Sequence, residues 1–260
     1  MSTQPLLELR GVSKRFGAVN ALVSVDFHAD SGQVMALVGD NGAGKSTLIK
    51  CVAGINTIDS GEILWEGQPV SITGPKDAAR LGIEVVYQDL ALADNLDVVE
   101  NMYLGREVRS TFRRLDEAKM ERSALKVLGD LSVTTIGSVR TPVASLSGGQ
   151  RQSVAVAKAV LWNSKLVILD EPTAALGVAQ TRQVLNLMRR LAEQGLAVVM
   201  VSHNMSDVFE VADRITVLRL GQRVAEYARA ETTQREVVEA ITAGELKYVP
   251  GMLEEEVTAV

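Results

Sequence analysis

A glycine-rich run between an apolar stretch and a helical pattern constrains the fold of this chain more than any other feature. The run consists of Gly39, Asp40, Asn41, Gly42, Ala43, Gly44, Lys45, Ser46 and Thr47. The apolar stretch 34–38 precedes it, and the helical pattern 47–53 follows it. Glycines let successive backbone N–H groups close around phosphate oxygens, and a helix N-terminus adds a favourable dipole. This context predicts a P-loop in which Lys45 reaches the β- and γ-phosphates and Ser46 gives a hydroxyl oxygen to Mg²⁺. A glycine-rich turn without a ligand is the alternative.

Short apolar stretches of β type recur between helical stretches along most of the chain. They are residues 6–10, 23–27, 34–38, 62–65, 82–86, 166–169, 197–201 and 215–218. Several are continuous runs of Val, Ile and Leu, which are typical of strands buried on both faces of a parallel sheet. Strand signals stop between about residues 89 and 162, where charged amphipathic helices such as 116–131 take over. We therefore predict an α/β fold with a mainly parallel sheet and an inserted helical lobe.

A capping box opens the last predicted helix. Thr233 and Glu236 have the spacing of this motif, so we expect a helix that continues to Ala243 and stops at Gly244. The following residues, 245–260, contain three consecutive glutamates and are expected to form a solvated acidic tail. The chain is accordingly predicted to form one domain over residues 5–244, with the helical lobe at about 89–162.

The composition limits the partners and the compartment. With a net charge of −5, the chain lacks the basic footprint of proteins that bind DNA or RNA, so no nucleic-acid partner is expected. Cys51 is the single cysteine, and the first residues have neither the basic start nor the apolar run of a signal peptide, which favours the cytoplasm. Cys51 is expected to be a buried residue without a chemical role. The longest apolar runs fall short of the roughly 20 residues of a membrane-spanning helix, so any membrane span is expected in another chain.

Two acids end the apolar stretch 166–169. Asp170 and Glu171 are therefore predicted at the carboxyl end of a sheet strand, beside the site where the P-loop would hold a phosphorylated ligand. Asp170 suits the coordination shell of Mg²⁺. Glu171 suits a general base that polarises the attacking water, a role that contributes about 10²- to 10⁴-fold to a rate. A strand followed by a solvated loop is the alternative.

A Ser-Gly-Gly-Gln sequence predicts a second anion-binding helix start. Ser147, Gly148, Gly149 and Gln150 open the helical pattern 150–161, where backbone amides of the first turn can face a phosphate. The alternative is a plain helix cap without a ligand.

The order of these three motifs resembles the ATP-binding subunits of ABC transporters. The P-loop comes first, the Leu-Ser-Gly-Gly-Gln signature follows, and the strand that ends in Asp170 and Glu171 comes about 20 residues later. The resemblance covers residues 6–243. It implies a P-loop NTPase core of the ABC ATPase type, with an N-terminal antiparallel β region added to the parallel sheet and the helical lobe. It also implies that the chain binds and hydrolyses ATP with Mg²⁺.

The same resemblance implies roles for three further residues. Phe16 corresponds to the aromatic residue that stacks on adenine, although an ordinary core phenylalanine is the alternative. Gln88 matches the glutamine that contacts the metal and the water. His203 matches the histidine that contacts the γ-phosphate and holds Glu171 in place, with a helix-entry histidine as the alternative. His28, without acidic or cysteine neighbours at ligand spacing, is expected to be structural.

One departure from the family pattern indicates which members of the family the chain resembles most. Gly177 stands where most members have an aspartate that makes a contact across a dimer, so that contact is in doubt here. The same departure, together with the stretches 87–90 and 100–107, is similar to the ATPases of bacterial monosaccharide importers of the ribose, galactose, xylose and fructose kind, and most of all to the fructose kind.

The resemblance implies a subunit that uses ATP to power import of a monosaccharide through a separate membrane permease. A periplasmic sugar-binding protein would be a further partner, and the chain would lie at the cytoplasmic side of the inner membrane. It also implies a head-to-tail homodimer, in which residues 147–150 of one copy cap the γ-phosphate held by residues 39–47 of the other.

A permease contact is predicted at residues 90–104. The argument is analogy with the family, together with four apolar residues that have no other explanation in the sequence, Leu90, Leu92, Leu96 and Val98. The alternatives for the whole chain are the ATPase of another ABC transporter (for nucleosides, amino acids, peptides or export), a soluble ABC ATPase that serves DNA repair or the ribosome, and a P-loop kinase.

Overall fold

The computed structural model describes residues 4–110 and 114–243. The predicted helix stop at Gly244 and the predicted tail 245–260 lie outside the described residues. The strands are β1 (Leu7–Phe16), β2 (Val19–Ala29), β3 (Val34–Val38), β4 (Ser60–Trp65), β5 (Gln68–Val70), β6 (Ile83–Val86), β7 (Leu166–Asp170), β8 (Ala197–Val201), β9 (Arg214–Arg219) and β10 (Gln222–Ala228). The helices are α1 (Lys45–Val52), α2 (Pro75–Leu81), α3 (Val98–Tyr103), α4 (Glu117–Asp130), α5 (Gly148–Val160), α6 (Val178–Glu193), α7 (Met205–Val211) and α8 (Gln234–Ala243).

The strands form two sheets. A four-stranded antiparallel sheet has the order β2-β1-β4-β5, and a six-stranded sheet has the order β10-β9-β3-β8-β7-β6. The strands from β9 to β6 in that order run parallel, and β10 pairs antiparallel to β9 at one edge. The predicted mainly parallel sheet and the predicted antiparallel region are confirmed.

The sequence did not predict strands β5 and β10, and each lies at a sheet edge. Strand β5 has three residues and includes Pro69, which an edge strand tolerates because it needs no donor on its open side. Strand β10 mixes charged and apolar residues, and only Ala225 in it is fully buried. Neither strand has the continuous apolar run by which the central strands were recognised.

The central strands bury alternate residues in two different cores. Val198 and Met200 of β8 face a core shared with helices α3 to α6, whereas Val199 and Val201 face a core shared with α1 and the antiparallel sheet. All five residues of β8 are buried, as expected for a strand covered on both faces. Cys51 lies in the second core, where burial raises the pKa of its thiol to about 11, so the prediction that this cysteine is buried is confirmed.

The helical region between β6 and β7 shares a continuous core with the large sheet. Met120 and Leu128 of α4 belong to the same cluster of buried side chains as Val167 of β7. Val98 is fully buried there, and Leu90 and Leu92 pack against the cluster. Packing within the chain therefore explains the apolar character of these three residues, at least in part.

The predicted capping box at the last helix is confirmed. The N–H of Thr233 donates to Glu236 Oε2 at 2.9 Å, and the N–H of Glu236 donates to Thr233 Oγ1 at 3.3 Å. Among residues 4–110 and 114–243, no helix combines the length and the apolar character needed to cross a bilayer.

Candidate active site

The sheet topology gathers the predicted chemical residues at one edge. The P-loop follows β3, His203 follows β8, the pair Asp170 and Glu171 ends β7, and Gln88 follows β6. These four strands are parallel neighbours in the order β3-β8-β7-β6, so their carboxyl ends lie side by side. A cleft at the carboxyl ends of parallel strands is the usual ligand site of α/β sheets.

Glycine is required at particular positions of the P-loop. Gly39 has a φ of 146°, and a β-carbon there would lie 2.1 Å from the carbonyl oxygen of Leu218. Gly44 has a φ of 103°, and a β-carbon there would lie 2.8 Å from the carbonyl oxygen of Ala21. Neighbouring strands therefore hold the loop tightly, and only residues without a side chain fit.

Helix α1 begins at Lys45, two residues earlier than predicted. Gly44 is its N-cap and provides no side-chain hydrogen bond to the first turn, so the helix start depends on its surroundings or on a ligand for its donors. The Lys45 side chain is buried, and its ammonium donates to the carbonyl oxygens of Gly39 at 2.6 Å and Asp40 at 3.0 Å. Its nitrogen therefore lies inside the loop. Ser46 is exposed and Thr47 is half-buried.

The electrostatics of Lys45 and Asp170 are opposed. Burial lowers the pKa of Lys45, and the negative charges of Glu171 and Asp170 partly oppose that shift. Burial raises the pKa of Asp170, the charge of Glu171 raises it further, and Lys45 lowers it. A cation placed beside Asp170 and Glu171 would stabilise the charged form of both carboxylates.

Glu171 and His203 are in contact. His203 Nδ1 lies 2.8 Å from Glu171 Oε1, with the carboxylate 17% exposed and the imidazole 74% exposed. Strand pairing sets this geometry, since the N–H of Glu171 donates to the carbonyl oxygen of Val201 at 2.9 Å, two residues before His203. Glu171 also has a φ of 51°, an unusual conformation for a residue with a side chain.

The donor set beside the P-loop fits Mg²⁺. Ser46, Gln88 and Asp170 offer a hydroxyl, an amide and a carboxylate oxygen, and hard oxygen ligands are those that Mg²⁺ prefers. Gln88 is exposed at the end of β6, and the pKa of the adjacent Tyr87 is raised by burial and by the charge of Asp170, so this strand end lies near that carboxylate. The described residues hold no group of three His, Cys, Asp or Glu side chains able to bind a metal.

Phe16 lies on the surface. Its side chain is 47% exposed, and Lys14 Nζ lies 5.5 Å from the ring centroid. The alternative of a core phenylalanine is therefore wrong. The β1–β2 hairpin that carries Phe16 also approaches the P-loop, because a β-carbon at Gly44 would lie 2.8 Å from the carbonyl oxygen of Ala21 and 3.0 Å from Leu22 Cδ2, both in β2.

The Ser-Gly-Gly-Gln sequence forms a capping box that the sequence analysis missed. The N–H of Ser147 donates to Gln150 Oε1 at 2.8 Å, and the N–H of Gln150 donates to Ser147 Oγ at 3.4 Å. The spacing of Ser and Gln was the available signal. Because of this box, helix α5 begins at Gly148, two residues earlier than predicted. β-Carbons at Gly148 and Gly149 would come within 3.0 Å of Leu176 Cδ2 and Gln180 Cβ, so the glycines allow close packing on the start of α6.

A buried contact joins the turn after β7 to the first turn of α7, and the sequence analysis did not identify it. Thr173 Oγ1 donates to Asp207 Oδ2 at 2.6 Å, and both side chains are buried. The residues are separated by 34 positions, so only the adjacency of β7 and β8 brings them together.

Gly177, the residue that departs from the family pattern, is the N-cap of α6. Its φ of −74° and ψ of 162° are open to any residue, and a β-carbon there would have only Gln180 Oε1 as a neighbour, at 3.9 Å. The backbone therefore does not explain the glycine.

His28 lies near two acidic side chains, of which Asp30 is two residues away in the sequence and Glu226 is distant. Its Nε2 lies 3.6 Å from Glu226 Oε1 and 3.8 Å from Asp30 Oδ2. The statement that His28 has no acidic neighbour at ligand spacing is therefore wrong, because Asp30 follows it by two residues. The contact with Glu226 joins β2 of the antiparallel sheet to β10 of the large sheet, which agrees with a structural role.

Comparison with known proteins decides the family. The ABC transporter family matches residues 22–174. The fructose import ATP-binding protein of Rhizobium meliloti is 47% identical over 93% of this chain and 95% of its own length. The chain belongs to the ABC transporter family. The xylose/arabinose import ATP-binding protein of Sulfolobus acidocaldarius is 46% identical to this cassette over 92% of the chain and 94% of its own length.

Two further comparisons concern length and fold. The cassette spans about half the length of a ribose import ATP-binding protein of Yersinia pestis, to which it is 44% identical. A nucleotide-free ATP-binding cassette from an ABC transporter superimposes with a TM-score of 0.78 at 25% identity, over 92% of this chain and 95% of that one. A bacterial ABC transporter cassette solved as a dimer superimposes with a TM-score of 0.72 at 24% identity, over 86% of this chain and 98% of that one. These likenesses agree with the predicted ABC ATPase fold.

Proposed function

We propose that this cassette hydrolyses ATP to power import of a monosaccharide through a separate membrane permease. The observation that carries the proposal is the pair Glu171 and His203, in contact at 2.8 Å beside a P-loop at the same sheet edge. The sugar class comes from the fructose and xylose/arabinose import relatives, which match the cassette over nearly their full length. A fructose-like or ribose-like sugar is the proposed cargo.

The chain's own residues divide the chemistry as follows. The backbone of residues 39–47 and the ammonium of Lys45 hold the phosphates of ATP, and Phe16 stacks on the adenine. Glu171 accepts the proton of the attacking water, and His203 holds that carboxylate and contacts the γ-phosphate. Ser46, Gln88 and Asp170 would hold Mg²⁺, which supplies charge neutralisation at the transferred phosphoryl group when bound.

A head-to-tail homodimer would complete each ATP site. In this arrangement the Ser147–Gln150 turn of one copy caps the γ-phosphate on the P-loop of the other. The proposal is supported by the position of the turn at the start of α5, where backbone amides of the first turn favour an anion. ATP binding would then close two sites, and hydrolysis would open them.

The membrane partner is proposed to contact the surface between β6 and α5. A small cleft of about 120 Å³ lies there, lined by residues that include Tyr87, Leu90 and Lys158, and Leu104 at the end of the proposed 90–104 contact region is 47% exposed. A permease helix seated on this surface would place the cassette at the cytoplasmic side of the membrane, with a periplasmic sugar-binding protein delivering the cargo.

The experiment that tests this function is reconstitution. The cassette would be combined in proteoliposomes with candidate permeases and binding proteins, and ATP turnover would be measured as each sugar is added. We expect one monosaccharide to raise the ATP turnover of the wild type. The same sugar should not raise the ATP turnover of a Lys45→Ala cassette. Sugar-independent turnover with every permease, or stimulation only by an amino acid or nucleoside, would overturn the proposed cargo.

A further inference from the structure

The loop after β7 turns through two residues in the left-handed region. Glu171 has a φ of 51° and Ala175 has a φ of 59°. Residues with a β-carbon adopt this conformation only when their surroundings hold them there. The carboxylate proposed to activate water is therefore positioned by contacts outside its own residue.

Local backbone bonds account for part of that restraint. The N–H of Glu171 donates to the carbonyl oxygen of Val201, and the N–H of Ala174 donates to the carbonyl oxygen of Glu171 at 3.1 Å. The N–H of Leu176 donates to the carbonyl oxygen of Thr173 at 3.2 Å. These bonds shape the turn, but only the first connects it to β8.

Side-chain contacts tie the turn to the segment after β8 at two points. The Glu171–His203 contact is the outer one, and the imidazole there is 74% exposed. The Thr173–Asp207 bond is the inner one, with Thr173 9% and Asp207 7% exposed. Its length of 2.6 Å falls in the range of about 2.5–2.7 Å for a hydroxyl bound to a carboxylate.

The buried bond has a fixed place in both segments. Thr173 is two residues after Glu171, and Asp207 is four residues after His203, in the first turn of α7. The N–H of Asp207 donates to Asn204 Oδ1, which caps that helix. The bond therefore fixes the distance between the turn that carries the carboxylate and the helix start that follows the histidine.

We propose that Thr173 is a positioning residue for hydrolysis, which holds Glu171 and His203 in register through its buried bond to Asp207. This inference rests on the proposed role of Glu171 as general base. Loss of the bond would let the two loops separate without removing any group that touches ATP. Small displacements of a catalytic group lower a rate by up to about 10²-fold.

The test compares Thr173→Val with Thr173→Ser in the full chain. Valine keeps the shape of threonine without the hydroxyl, and serine keeps the hydroxyl. We expect Thr173→Val to lower kcat by about 10- to 100-fold, with binding of a fluorescent ATP analogue within about 3-fold of wild type, whereas Thr173→Ser restores most of kcat. If Thr173→Val does not fold, Asp207→Asn takes its place, and its weaker acceptor should lower kcat by about 3- to 10-fold.

A control separates positioning from stability. Ile63 is buried in β4 of the antiparallel sheet, and α7 belongs to a different core cluster, so Ile63→Ala should lower the melting temperature without touching the bond. An equal loss of kcat in Ile63→Ala, a loss of ATP binding in parallel with kcat, or a kcat of Thr173→Val within about 3-fold of wild type would each overturn the proposal. Glu171→Gln is measured beside them. If this variant turns over ATP at the wild-type rate, Glu171 is not the general base and the proposed function fails. If Glu171→Gln is inactive but Thr173→Val is active, only the inference about Thr173 fails.

Discussion

The P-loop and the segment 171–177 both turn the chain at the carboxyl edge of the large sheet, but they use different residues to do so. The P-loop turns through glycines, with φ values of 146° at Gly39 and 103° at Gly44. The segment 171–177 turns through Glu171 and Ala175, which hold positive φ values despite their β-carbons. Its own glycine, Gly177, has an ordinary negative φ.

The two loops differ in what determines their backbone conformation. Glycine adopts positive φ readily, so the P-loop conformation is encoded in its own residues. A residue with a β-carbon in this region costs about 1–2 kcal/mol, so the segment 171–177 depends on strand pairing and on the Thr173–Asp207 bond. One loop is set locally and the other by tertiary contacts, and substitutions can test each part of that contrast.

The largest effect is expected when Glu171 loses its charge. Glu171→Gln keeps the size of the side chain and the backbone, so ATP binding should persist while turnover falls by about 10²- to 10⁴-fold. The variant should accumulate as an ATP-bound dimer, which size-exclusion chromatography in MgATP would detect. Glu193→Gln, an exposed acid on α6, is the matched control and should turn over normally. Wild-type turnover in Glu171→Gln would mean that the strained carboxylate is not the base.

A β-carbon at Gly39 should have the next largest effect. In Gly39→Ala the new methyl group would meet the carbonyl oxygen of Leu218 in rigid backbone, so we expect the free energy of unfolding to fall by about 3 kcal/mol or more. Gly42→Ala is the control, since its φ is 81° but no atom lies within 4 Å of the new carbon. It should lose only about 1 kcal/mol. Equal losses by urea unfolding would show that the positive φ alone, and not the approach of Leu218, accounts for glycine at position 39.

The same contrast explains what the sequence could and could not predict. The P-loop, the central strands and the helix start near Ser147 follow from local patterns, and their positions were predicted to within two residues. The Thr173–Asp207 bond and the contact of His28 with Glu226 depend on which strands lie side by side, which a single sequence does not state. Strand β10 was missed because an edge strand has no continuous apolar run.

Relief of the left-handed strain at Ala175 should give a smaller effect of opposite sign. Glycine accepts a φ of 59° without cost, so Ala175→Gly should gain roughly 0.5 to 1 kcal/mol of stability after the entropy lost in the unfolded chain is counted. Ala174→Gly is the control, because Ala174 has no positive φ, and it should lose a similar amount. Calorimetric melting temperatures would measure both. Losses of the same size in both variants would mean that Ala175 carries no strain.

The smallest effect is expected at Gly177. As the N-cap of α6 with room for a side chain, this position should accept aspartate, and Gly177→Asp should stabilise the chain by a few tenths of a kcal/mol. The gain arises because a carboxylate can accept from the first-turn N–H groups and complete a capping box with Gln180, whose Oε1 already accepts from the N–H of Gly177 at 3.2 Å. Gly177→Ala is the control and should lose stability, because it offers no acceptor. If melting temperatures fall more in Gly177→Asp than in Gly177→Ala, then local helix capping does not govern this position.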